Sequence, residues 1–91
     1  MIEKIGTPEL LAGLAEECAE LACAALKLRR EIDQTNPTPI DEETMWDKLC
    51  EEVADVTLYL QQIPFDDEYM EKVKTVKAER WERRLKDRER T

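Results

Sequence analysis

From Thr7 to Arg90 the apolar residues of this chain recur at the three- and four-residue spacing of a helix, and two places interrupt the pattern. One is Asn36-Pro37-Thr38-Pro39 and the other is Pro64. Proline lacks the amide a helix interior needs, so each break ends one helix and lets another begin. Three long helices are predicted. The first runs from Thr7-Pro8 to about Gln34, carrying Leu10, Leu11, Leu14, Cys18, Leu21, Ala25, Leu28 and Ile32. The second runs from Thr38-Pro39 to Pro64 with Met45, Trp46, Leu49, Val53, Val56, Leu60 and Ile63. The third starts at Asp66-Asp67, where negative side chains suit a helix amino terminus, and continues to Arg90 with Tyr69, Met70, Val73, Val76, Trp81 and Leu85. Thr7 and Thr38 are placed to cap their helices, with Pro8 and Pro39 at the first helical position. No segment alternates like a strand and no low-complexity linker divides the chain, so the expectation is a single all-α domain over residues 1–91.

Charge narrows the partners. With 22 acidic and 14 basic residues the net charge is -8, and an acidic surface repels nucleic acid and anionic lipid. An anionic ligand would need a cation to mediate. Hydrophobic residues are 42% of the chain and periodic, which argues against disorder. Ninety-one residues bury a modest core, so at least a dimer is expected. Cys18, Cys23 and Cys50 are odd in number, lack CxxC spacing and have no histidine beside them, so neither a disulfide framework nor a zinc site is indicated. Reduced thiols, a longest apolar run of only Leu21 to Leu26, and an amino terminus without the apolar core of a signal peptide lead to the expectation of a cytoplasmic protein.

The chemistry sits in two matched blocks. Leu14 to Leu21 reads LAEECAEL, and Leu49 to Val56, 35 positions on, reads LCEEVADV. At about 100° per residue, Glu17 lies at the edge of an apolar arc formed by Leu10, Leu28, Leu21, Leu14, Ala25, Cys18 and Leu11, with Glu20 about 60° to the other side and Glu16 leaning toward solvent. Glu52 edges the matching arc of the second helix, with Asp55 about 60° beyond it. Packing through these stripes would bring Glu17, Glu20, Glu52 and Asp55 to one seam. Like charges so placed need protons or cations, and an oxygen-only donor set suits Mg²⁺, or Mn²⁺. In so acidic a chain a similar spacing also arises by chance, and Asp67, Glu68 and Glu71 are such a case, read as helix-start electrostatics. On the third helix Lys77, Arg80 and Arg84 lie within about 40° of Val73, on the face that carries Tyr69 and Val76. They suit a polyphosphate, or else they balance nearby acids at helical spacing. Trp46 and Tyr59 offer faces to stack on a base, or core and interface packing.

Glu16-Glu17-x-x-Glu20 followed by Glu52-x-x-Asp55 inside EEVADVTLYL resembles the EExxE and ExxD motif pair of the MazG-like all-α nucleoside triphosphate pyrophosphohydrolases, in particular their short bacterial and phage-type members. The similarity runs from LAEECAEL to VKTVKAERWERRL. It implies an oligomeric helical bundle, a homodimer or a tetramer of two dimers, that uses Mg²⁺ to cleave a nucleoside triphosphate between its α- and β-phosphates. Under the resemblance Glu17, Glu20, Glu52 and Asp55 match the metal-binding and catalytic carboxylates, and Glu16 is their companion. One carboxylate would orient or deprotonate the attacking water, and Lys77, Arg80 and Arg84 would contact phosphate. Nucleotide-pool control or house-cleaning is the implied role. Phosphoribosyl-ATP pyrophosphatases and dimeric dUTP-hydrolysing enzymes share the architecture, and a non-catalytic helical module for metal or protein binding is the rival from another class. The gap between Glu20 and Glu52 is long for the family and no asparagine stands near Glu71, which leaves base and sugar open.

Overall fold

The computed structural model describes residues 2–36 and 39–90, which form a short helix α1 (Ile2–Ile5) and three long ones, α2 (Thr7–Asp33), α3 (Glu42–Gln62) and α4 (Asp67–Glu89). There is no strand among the described residues. The three long helices lie where the proline breaks place them, and their first residues differ in detail. Thr7 is inside α2, whose cap is Gly6 at φ 89°, a left-handed conformation that glycine adopts without strain. That turn lets α1 run directly into α2, and the Gly6 carbonyl accepts the first helical bond from the Leu10 amide. Thr38 lies outside the described residues. The cap of α3 is Asp41, whose carboxylate accepts the Thr44 amide at 2.7 Å. Asp66 does the same for α4, accepting from Tyr69 at 3.0 Å.

α2 and α3 pack as an antiparallel hairpin. Its buried stripe is Leu10, Leu14, Glu17, Leu21, Ala24 and Leu28 on α2 and Met45, Leu49, Glu52, Val56 and Tyr59 on α3 with Ile63 at its C-cap, all buried or half-buried. Each member of the second set is its counterpart in the first plus 35. The hairpin is therefore built from two copies of one amphipathic pattern. Gly13 meets Tyr59 where the helices cross, because a Cβ on Gly13 would overlap the Tyr59 ring.

Glu17 and Glu52 thus lie in the middle of the contact stripe, a correction to the expected edge position. The reason is that the apolar arc is wider than one helix contact. A second stripe, Leu11, Cys18, Ala25 and Ile32 with Trp46, Val53 and Leu60, keeps the same 35-residue correspondence and is exposed. It lies about 120–180° around the helices from Glu20 and Asp55, so the hairpin has an apolar face turned away from its acidic one.

Among the described residues α4 makes no extended contact with another helix and buries no residue, with Trp81 67% and Tyr69 66% exposed. The radius of gyration is 17.2 Å, where a compact chain of this length gives about 12 Å. The surface of 7618 Å² is some 2,000 Å² larger than the roughly 5,500 Å² of a folded monomer of this mass.

Candidate metal centre

Glu17, Glu20, Glu52 and Asp55 converge where α2 crosses α3, each offering an oxygen within 4.8 Å of the others'. Helical spacing explains the convergence: each pair lies three residues apart on adjoining faces, and the antiparallel crossing sets Glu17 near Asp55 and Glu20 near Glu52. Glu20 and Asp55 are exposed and Glu17 is half-buried, while the Glu52 side chain is only 5% exposed. Glu16 is exposed and stays outside the cluster.

Within the cluster two oxygens are shielded from water without a partner, Oε2 of Glu17 and Oε2 of Glu52. The other Glu52 oxygen meets Lys48 Nζ at 2.9 Å. Four carboxylates against this one ammonium leave three negative charges in excess at the cluster. The strain registers on Glu17, whose carboxyl is held above its ordinary range, first by withdrawal from water, then by the charges of Glu20 and Asp55, contact with the Glu20 side chain, and the charge of Glu52. Lys48 is pushed up as well, chiefly by its hydrogen bond to Glu52 and that residue's charge, with Glu51 and Glu20 adding to it. A buried carboxylate oxygen without a donor is costly unless a proton or cation reaches it. A donor set made wholly of carboxylate oxygens fits a hard divalent cation, so the residues present fit Mg²⁺ or Mn²⁺.

Lys77, Arg80 and Arg84 line one shallow pocket with Trp81, on α4 alone. Lys72, Lys74 and Lys86 on the same helix pair with Glu68, Glu71 and Glu82, whereas Lys77, Arg80 and Arg84 have no ion-pair partner among the described residues. Within one chain they are not brought to the carboxylates. Of the aromatic candidates, Tyr59 packs on Gly13 and Trp46 is half-exposed. Sequence reasoning passed over Lys48, whose signal was its place one helical turn before Glu52.

Charge is segregated along the chain. Through Glu71 there are 18 acidic and five basic residues, and from Lys72 onward four acidic and nine basic. The basic stretch makes up all but the acidic first turns of α4, the helix without a packed partner. No helix among the described residues is long and apolar enough to cross a membrane. Compared with protein-family models, curated proteins and solved structures, the chain gives no match.

Proposed function

We propose that this protein is a Mg²⁺-dependent nucleotide pyrophosphohydrolase of the MazG-like all-α kind, working as a cytoplasmic homo-oligomer on nucleoside triphosphates in nucleotide-pool control or house-cleaning. The observation that carries the reading is the meeting of four carboxylates at the helix crossing with two shielded, unpartnered oxygens. Such an arrangement weakens the apo fold and suits a divalent cation. The motif pair Glu16-Glu17-x-x-Glu20 and Glu52-x-x-Asp55 supports the family.

Glu17, Glu20, Glu52 and Asp55 would hold Mg²⁺, or Mn²⁺ in its place. When bound, the cation supplies charge neutralisation at the phosphate oxygens and eases deprotonation of the attacking water. Hydrolysis joins the water oxygen to the α-phosphorus as that phosphorus parts from the bridging oxygen, giving monophosphate and pyrophosphate. The chain's part is to hold the triphosphate against the acidic face and take the water proton on a carboxylate.

The homo-oligomer is supported by the exposed apolar stripe, the surplus surface and the unpacked basic helix. A second copy seated on the apolar face would leave both acidic faces open, and α4 of that copy would bring Lys77, Arg80 and Arg84 to the phosphates.

The test is incubation of the purified protein with Mg²⁺ and a panel of ribo- and deoxyribonucleoside triphosphates, with products resolved chromatographically. The reading expects monophosphate and pyrophosphate from the parent, and a loss of about 100-fold or more in Glu17→Gln and Asp55→Asn. Diphosphate and phosphate would overturn the bond assignment. No product from any member, with phosphoribosyl-ATP included, would favour the non-catalytic module.

A further inference from the structure

The 35-residue correspondence between α2 and α3 makes the carboxylate cluster nearly two-fold symmetric, since Glu17 answers to Glu52 and Glu20 to Asp55. Its flanks break that symmetry. At one end the Tyr59 ring fills the space over Gly13. The positions equivalent to that pair at the other end are Ala24 and Lys48, and there the small side chain leaves an open groove of about 420 Å³ beside Glu20, Cys23, Lys27 and Glu52. An extended ligand held at the carboxylates has room in this direction.

Two ammonium groups line the groove. Lys48 reaches Glu52 at 2.9 Å, and Lys27 has no ion-pair partner among the described residues. Lysine four residues before glutamate is the weaker order for a helical pair, and with Lys48 61% exposed the pair contributes little to the helix. Its consequence lies at the site, where it keeps a movable cation beside the most buried carboxylate.

We propose that Lys27 and Lys48 form a pyrophosphate cradle, binding the β- and γ-phosphates of the nucleotide along the open groove. This deepens the hydrolase reading and rests on it. Lys48 exchanges Glu52 for a phosphate oxygen when a divalent cation takes that carboxylate, and Lys27 holds the far end of the leaving group. The cradle comes from the same chain as the carboxylates, distinct from the α4 cations of a second copy.

Calorimetric titration tests this, first with Mg²⁺ alone and then with inorganic pyrophosphate at saturating Mg²⁺, on the parent, Lys27→Met, Lys48→Met and Lys48→Arg. Each Met variant is expected to lose about tenfold or more in pyrophosphate affinity. Lys48→Met is also expected to bind Mg²⁺ alone more tightly, because a competing ammonium has gone, and Lys48→Arg to hold pyrophosphate within a few-fold of the parent. Should Lys48→Met not fold, Lys27→Met and Lys48→Arg carry the test. Unchanged pyrophosphate affinity in the Met variants, with Glu17→Gln abolishing it, would overturn the cradle and leave the hydrolase reading standing. A parent that binds neither Mg²⁺ nor pyrophosphate would overturn both.

Discussion

Glu17 and Glu52 occupy positions in the helix contact that the surrounding pattern gives to leucine, methionine and valine, and the apo protein bears the cost. Because the Glu17 carboxyl is held above its ordinary value of 4.5, the folded protein keeps a proton that the unfolded chain releases at lower pH. Stability from this group is complete below 4.5 and is lost as pH rises through the raised folded value. Thermal melting without metal should therefore show a melting temperature that falls with rising pH across that window, and Glu17→Gln should remove this part of the fall. Saturating Mg²⁺ should reverse the trend for the parent, since the ligands must be deprotonated to bind. Which carboxylates meet was legible in the residues, because the 100° rotation fixes their directions and the matched blocks fix their level along the helices, but the burial of Glu17 and Glu52 was not. Lys48 was not, because an i to i+4 lysine is common on any helix and only the burial of Glu52 sets this one apart.

The same 35-residue pattern runs through α2 and α3, and each copy carries two apolar stripes. Helix extents followed from the prolines, whereas the division of labour between stripes did not: periodicity shows which residues are apolar, while only packing shows which of them the hairpin uses. The crossing itself turns on Gly13. Alanine would ordinarily gain up to about 1 kcal/mol over glycine within a helix, but here its methyl would overlap Tyr59, and displacing a packed ring costs about 1–3 kcal/mol. The second effect is the larger. Gly13→Ala should lower the unfolding free energy by about 1–2 kcal/mol in urea titration, and Gly13→Ala combined with Tyr59→Leu should recover part of it.

As a whole the molecule is one layer of helices, with extents of 46 × 39 × 17 Å. Among the described residues its buried apolar core is Leu10, Ala24, Leu28, Met45 and Val56, few for a domain that carries a buried carboxylate among them. A standard interface covers about 800 Å² on each partner, well within the surplus surface here. Length alone led to the expectation of an oligomer, whereas the face of α4 that carries Lys77, Arg80 and Arg84 gave no sign of standing apart from the hairpin, because helical spacing does not tell which faces of a helix are packed. If Lys77, Arg80 and Arg84 act from a second copy, mixing inactive Glu17→Gln with an inactive triple alanine variant of those three should restore about a quarter of parental activity, as random pairing leaves one complete site in half the dimers. Activity that stays absent on mixing would place both residue sets in one chain.

If the four carboxylates act as a divalent-cation site, the most direct measurement of it is the melting temperature across a Mg²⁺ titration of the parent and of Glu52→Gln. The parent should rise progressively with Mg²⁺, by mass action on a site the unfolded chain lacks, while Glu52→Gln should start higher without metal and respond weakly. A parent indifferent to both Mg²⁺ and Mn²⁺, or a Glu52→Gln variant that responds as strongly as the parent, would contradict it.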